Sequence, residues 1–231
     1  MRFAAFETST EWCSVALWSE GEIAGVERHA GQRHAEFILP MLDALLGRSG
    51  YAMDTLDAVA YGAGPGSFTG LRIACAVAQG IAVAHGFPVI GVSTLEAVAD
   101  ASGAARVLVC LDARMREVYC GAYERAGPGD AAWRVIVEPC CLPPAAVAIA
   151  SVEGGWTGCG NGFFAYREEL DAALGSNLCE VRDSIRASAV SVARLAAPRL
   201  LAGEGQDAAD AAPIYVRDKV ALTSAERRGA R

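Results

Sequence analysis

Lysine is all but missing from this chain. Of its 20 basic residues, Lys219 is the one lysine and the other 19 are arginine. Without a lysine behind a glycine loop, no segment fits G-x-x-x-x-G-K-[ST], the pattern in which lysine reaches the terminal phosphates of a nucleotide. Histidine is nearly as sparse: His29, His34 and His85 are the three present, and none forms an H-x-x-x-H pair. The eight cysteines include no C-x-x-C pair, and the adjacent Cys140 and Cys141 have the wrong spacing for a zinc knuckle. No run of about 18 apolar residues escapes polar interruption and turn signals, and Met1-Arg2 leads into a strand pattern rather than a secretory core. The expected setting is therefore the cytoplasm, away from membrane. Clustered basic residues are lacking too. With a net charge of -7 and arginines dispersed among acids, the chain is not expected to grip nucleic acid by itself, since phosphate contacts draw on grouped Lys and Arg. An RNA role would need a partner.

What the chain has is apolar mass and glycine. Hydrophobic residues make up 53% of the 231. That suffices for a core, as one large domain or two lobes of about 100 to 130 residues. Most cysteines fall inside apolar patterns and read as reduced core residues. The segment Tyr61 to Gly70, YGAGPGSFTG, joins an apolar strand to an almost wholly apolar helix. Gly62, Gly64, Gly66 and Gly70 permit backbone angles that other residues resist, and Ser67 or Thr69 can cap the helix, on whose end an anion could sit. The segment is not a nucleophile elbow, because Phe68 stands where G-x-S-x-G needs serine. Two readings stay open at this point: a tight turn that lets strand and helix pack closely, or a phosphate cradle.

Residues 2–8, 12–18 and 22–28 read as three short strands separated by turn signals, hence an antiparallel meander. His34 to Leu46 reads as a helix whose apolar positions (Ala35, Phe37, Ile38, Leu39, Met41, Leu42, Ala44, Leu45, Leu46) cover far more than one core-facing stripe. Strand 57–62, the glycine turn, helix 70–85 and strand 88–92 form a β-α-β unit with a right-handed crossover. In that helix only Arg72 and Gln79 are strongly polar, seven apart and so on one narrow face. Both helices therefore ask for a second buried surface beyond the home sheet. After Ala101-Ser102-Gly103 the strand-rich opening recurs, with strands at 106–111, 117–123 and 133–137. A short helix from Pro143-Pro144, a glycine-rich strand and loop at 154–162, helices at 163–174 and 188–202 and an extended segment at 213–217 follow. The tail from Thr223 to Arg231 is expected to be mobile. The expected organisation is an N-terminal lobe, 1–103, carrying the two partner-seeking helices, and a C-terminal lobe, 104–231.

This order of elements, repeated in a degenerate second lobe, resembles the two-lobed α/β architecture of the actin/sugar-kinase/Hsp70 superfamily, the actin-like ATPase fold. Particular segments narrow the resemblance. FETSTEWCSVAL from Phe6, HAEFILPMLDALL from His34, YGAGPGSFTGLRIACAVAQGIA from Tyr61, VSTLEAVA from Val92, DARMREVYCGAY from Asp112, GCGNG from Gly158 and PIYVRDKVA from Pro213 together resemble the bacterial TsaB (YeaZ) family. The match runs in order along nearly the whole chain. GPGSFTGLR and DARMREVY are its specific parts, whereas the opening strands are shared across the superfamily.

The resemblance implies a non-catalytic subunit of the bacterial machinery that makes N6-threonylcarbamoyladenosine beside the anticodon of tRNA. In that machinery TsaC makes the adenylate, the paralogue TsaD transfers the threonylcarbamoyl group, the ATPase TsaE joins, and TsaB pairs with TsaD through two helices of its first lobe. On this chain the implied contact falls on His34, Phe37, Ile38, Met41, Leu42 and Leu45, and on Leu71, Ala74, Val77, Ala78 and Ile81. Either Leu42→Glu or Val77→Glu is then expected to weaken the heterodimer. Self-association through the same helices gives a homodimer, and tRNA is met only through the complex. No catalytic residue and no metal ligand is expected, because TsaD's histidine pair has no counterpart and Ser93-Thr94 stands where TsaD has Asn-His. Nucleotide binding in this fold takes two glycine-bearing loops, yet Glu7-Thr8-Ser9-Thr10 and Asp112-Ala113-Arg114-Met115 contain no glycine. No cofactor is expected on this chain alone, while ATP or ADP at the junction with TsaD would meet Arg72 or Arg114. His34 is expected as a cap or surface residue, and Asp112 with Arg114 as a structural ion pair. The rival readings are a glycoprotease-like hydrolase or kinase of the same fold, and a homodimeric interaction module.

Overall fold

The structure, a computed structural model, describes residues 1–127 and 132–217. The tail expected to be mobile, Thr223 to Arg231, lies outside the described residues. The opening meander forms as β1 (Arg2–Glu7), β2 (Trp12–Ser19) and β3 (Glu22–His29), paired antiparallel. Next come α1 (His34–Ser49), β4 (Ala58–Gly64), α2 (Phe68–His85), β5 (Val89–Ser93) and α3 (Thr94–Ser102). The sheet order is β3-β2-β1-β4-β5, with β4 parallel to β1 and β5 parallel to β4. β1 is almost wholly and β4 wholly buried, as continuous apolar runs between covered faces should be, whereas the edge strand β3 is largely exposed and charged.

The second sheet repeats the arrangement. It is built from β6 (Arg106–Asp112), β7 (Val118–Arg125), β8 (Trp133–Leu142), β9 (Trp156–Cys159) and β10 (Leu178–Arg182), in the order β8-β7-β6-β9-β10. Where the first lobe has the 16-residue α1, the second has only a 3-10 turn at Pro144–Ala146, which is the sense in which it is degenerate. The helix expected over 163–174 is broken into α4 (Gly162–Ala165) and α5 (Arg167–Leu174), because Tyr166 leaves the helical region at φ -134°. β10 and α3 were not legible as elements. A Ser93-x-x-Glu96 capping box signals α3, whose first turn is closed by the Glu96 amide donating to Ser93 Oγ at 3.4 Å.

All strands of the second sheet lie beyond Gly103, but the chain after them does not stay in that lobe. The last helix, α6 (Ala189–Leu201), packs on β1, β2 and β4, while α3 packs on β6, β7 and β9. The two helices touch each other between the sheets. One buried cluster therefore runs through Phe3, Val92, Leu95, Val98, Val109, Tyr123, Val192 and Leu195 without a break at the lobe boundary. Within this seam the buried Asp100 pairs with Arg125 at 3.6 Å and with Arg194 of α6. A buried carboxylate needs such partners.

The glycine turn resolves in favour of close packing. The Ser67 amide donates to the Ser9 carbonyl at 2.8 Å, and Thr8 Oγ1 donates to the Gly70 carbonyl at 2.7 Å. A Cβ on Gly70 would stand 1.9 Å from the Thr8 carbonyl oxygen, one on Gly66 2.6 Å from Ser9 Cβ, and one on Gly62 2.0 Å from Glu7 Oε2. Only Gly64, at φ 114°, needs an angle closed to other residues. The expectation of special backbone angles at all four is thus corrected: three are glycine for want of room. Ser67 rather than Thr69 caps α2, which begins two residues earlier than expected.

Gly70→Ala is expected to lower unfolding free energy by about 3 kcal/mol, since backbone must move to admit the methyl group. Gly80, on the same helix with nothing within 4 Å, is the control, and Gly80→Ala should stabilise by up to about 1 kcal/mol. Urea denaturation of both variants measures the contrast; equal effects would refute the packing account.

Candidate functional site

α1 and α2 touch each other and cover one face of the first sheet. Of the eleven helix positions expected at a partner interface, His34, Ile38, Leu42, Leu45, Leu71, Ala74, Ala78 and Ile81 are buried within this chain. This corrects the expectation, because a residue already sealed in the home core has no surface to offer. Their spacing, such as 38, 42, 45 and 71, 74, 78, 81, is the inward stripe of each helix. His34 is neither cap nor surface residue: its Nε2 donates to the Thr10 carbonyl at 2.8 Å. Phe37, Met41 and Val77 are half-buried at the rim.

The outward face consists of residues the sequence had not singled out. On α2 it comprises Ala76, Gly80 and Ala84, the half-buried Ile73, and Val83 at 73% exposure; on α1 it includes Leu39 at 49%. No acidic residue lies between Phe68 and His85, and Arg72 is the one arginine. The helix is long and apolar enough, at a mean hydropathy of 1.3, to cross a membrane on length and composition alone. Its position as the β4–β5 crossover instead sets one side on a sheet and leaves the other bare. Subtracting the i, i+3, i+4, i+7 stripe from the apolar set would have found this second face.

Between the lobes lies a cleft of about 650 Å³, lined by Ser9, Thr10, Gly66 and Ser67 on one side and Asp112, Arg114 and Asn161 on the other. A strap, residues 212–217, runs along it. Its Ile214 amide donates to Ala63 at 2.7 Å, and its Ala212 carbonyl accepts from Tyr61 at 3.2 Å. At its far end Arg217 pairs with Glu117 of the second lobe and donates to the Arg114 carbonyl at 3.4 Å. Arg72 is committed to this strap. Its guanidinium lies 3.4 Å from the Phe68 ring centroid and donates to the Tyr215 hydroxyl at 3.1 Å. Arg114 does line the cleft, paired with Asp112 at 3.0 Å, and the Tyr166 hydroxyl donates to the same carboxylate at 3.0 Å. The two arginines expected to meet phosphate thus have separate partners.

Two amides of the glycine turn are engaged within the chain. The Ser67 amide is taken by Ser9, the Gly70 amide by Ser67 Oγ at 3.4 Å, and Gly66 is pressed against Ser9. Each histidine is also engaged: His29 edges onto Trp12, His34 holds Thr10 and His85 stacks on Phe87. Among the described residues, no group of three or more His, Cys, Asp or Glu is placed to hold a metal ion.

Glu7 sits beneath this turn, fully buried. It accepts from the Ser9 amide at 2.6 Å and from Thr94 Oγ1 at 3.4 Å. Burial outweighs these hydrogen bonds and holds its pKa above the ordinary 4.5. Because the folded chain keeps this proton to higher pH than the unfolded chain, stability should fall as pH rises from 4.5 through the raised folded value. Glu7→Gln is expected to flatten that part of the profile, as measured by urea denaturation between about pH 4 and 8. An unchanged slope in the variant would show that other groups carry it.

The family model for TsaD, tRNA N6-adenosine threonylcarbamoyltransferase, matches residues 26–224. The tRNA threonylcarbamoyladenosine biosynthesis protein TsaB of Escherichia coli is 37% identical over 96% of this chain and 96% of its own, and the TsaB of Haemophilus influenzae 35% identical over 94% and 93%. The crystal structure of YeaZ from Pseudomonas aeruginosa superposes with a TM-score of 0.84 at 37% identity, covering 93% of this chain and 99% of that one. A second structure, of an uncharacterized protein with similarity to peptidase YEAZ from the same organism, gives 0.86 at 37% identity, covering 94% and 99%. With its duplicated actin-like sheets, the match to the TsaD family model and relatives aligned nearly end to end, this chain belongs to the TsaB (YeaZ) family.

Proposed function

We propose that this chain is a non-catalytic subunit in the biosynthesis of threonylcarbamoyladenosine in tRNA, acting by docking the outer face of α1 and α2 on a TsaD partner. The names of its relatives support the pathway. The observation that carries the docking is the outer face of α2, where Ile73, Ala76, Gly80, Val83 and Ala84 present apolar surface with no acidic neighbour on the helix. Small residues there let a partner helix approach closely, and removing such a face from water is what an interface gains from. TsaE joins the assembled pair, and tRNA is bound by the complex rather than by this chain, whose net charge is -7. The setting is the cytoplasm. ATP or ADP, where present, sits at the junction with TsaD, with Arg114 and Arg72 nearest to it.

Self-association through the same face is the alternative occupant, and TsaD is expected to displace it. The hydrolase reading, raised by the shared fold, gains support from a relative with similarity to peptidase YEAZ. Against it, the Ser67 hydroxyl serves as a helix cap and no histidine stands as its base.

Ala76→Glu should weaken the heterodimer by about 100-fold while leaving the thermal midpoint unchanged, because it places a charge in a desolvated contact without entering the home core. Leu42→Glu should unfold the chain, since Leu42 is fully buried, and so it no longer serves as an interface probe. Calorimetric titration with TsaD, alongside tRNA modification reconstituted with and without this chain, tests the proposal. Tight binding by Ala76→Glu, or modification that proceeds in this chain's absence, would overturn it.

A further inference from the structure

We propose that Cys120 and Cys140 are an oxidation site, forming a reversible disulfide that fastens the edge strand β8 to β7. The antiparallel register sets the two residues directly opposite each other, and their sulfurs lie 3.3 Å apart. Opposed residues of an antiparallel ladder have Cα atoms about 4.5 to 5.5 Å apart, within the roughly 4.4 to 6.8 Å that a disulfide spans. Closing the bond therefore takes side-chain rotation rather than strand movement. β8 also has slack here, because the ladder shifts register between Cys120 and Ala122.

The neighbouring thiols do not compete on equal terms. Cys110 continues the row on the other side of Cys120 but is fully buried. Cys141 lies on the opposite face of β8 and contacts the Glu117 carboxylate at 3.5 Å. Cys140 is half-buried, while Cys120 is 2% exposed, so an oxidant from solvent meets Cys140 first. Burial raises the Cys120 thiol above its ordinary range, so it stays neutral until its neighbour has reacted.

Hydrogen peroxide is sufficient as oxidant. The Cys140 sulfur, on losing its proton, attacks one peroxide oxygen and the O–O bond breaks. This leaves a sulfenic acid and hydroxide, which takes the proton and departs as water. The Cys120 sulfur then attacks Cys140 sulfur as its own proton leaves; the S–S bond forms, the S–O bond breaks, and a second water is released. Two thiols have lost two electrons and two protons, and one peroxide has become two waters. The new bond would immobilise an edge strand whose next residue, Cys141, touches the carboxylate that anchors Arg217 at the cleft.

The test uses the full folded chain, treated with hydrogen peroxide and then alkylated after unfolding. Two fewer cysteines should be alkylated than the eight of the reduced chain, and dithiothreitol should restore them. Trypsin should yield a linked pair: the fragment Glu117–Arg125, whose one cysteine is Cys120, joined to Val135–Arg167. That larger fragment also contains Cys141 and Cys159, so Cys140→Ser must abolish the link and Cys141→Ser must preserve it. A link that survives in Cys140→Ser overturns the proposal. So does a link from Cys120 to Cys110 in the fragment Val107–Arg114, or Cys140 oxidised to sulfinic acid while Cys120 stays free.

Discussion

The contact between the β1–β2 turn and the first turn of α2 is the constraint on which the rest of this molecule depends. Backbone meets backbone there: Thr8 and Ser9 bond to Gly70 and Ser67, and no side chain fits between them at Gly66 or Gly70. Such proximity fixes the pitch of α2 on the sheet, and with it which side of an almost uniformly apolar helix faces inward. It also engages the Ser67 amide at the start of α2. One packing event thus joins turn to helix and presents a bare helix face.

The second constraint is the exchange of helices between lobes. α3 leaves the first sheet to lie against the second, and α6 returns from the second to lie against the first. With Asp100 pinned between arginines from β7 and α6, the two sheets share one core. The strap from Ala212 to Arg217 adds a tie along the cleft, from Tyr61 on one side to Glu117 on the other.

Much of this was legible in the residues. The antiparallel meander, the β-α-β crossover, the recurrence of the pattern after Gly103 and the pairing of Asp112 with Arg114 all followed from local periodicity and turn chemistry. So did the excess apolar surface on α1 and α2. Which face of each helix stays uncovered was not legible, because a helix apolar on nearly every side carries little contrast to say which stripe the sheet covers. α3 was missed as an element because it is nine residues long and its polar residues, Thr94, Glu96, Asp100 and Ser102, are buried or half-buried, leaving the capping box at Ser93 and Glu96 as its signal. Arg217 and Tyr215 were missed as members of the cleft because they reach it from a segment with no periodic structure at all.

By itself, then, the sequence determined the class of fold, the duplication, the lack of a lysine-bearing phosphate loop or a histidine pair, and the need of two helices for more than one covered face. These are properties of composition and short-range spacing, where each residue's preference is set by neighbours a few positions away. Only the tertiary structure decided which face of α2 is free, where Glu7 and Asp100 are buried, that residues 212–217 strap the cleft, and that Cys120 and Cys140 meet. Those facts arise from contacts between segments dozens of residues apart, made when burying the apolar surface of both sheets forces a particular register and crossing, and no local pattern encodes them.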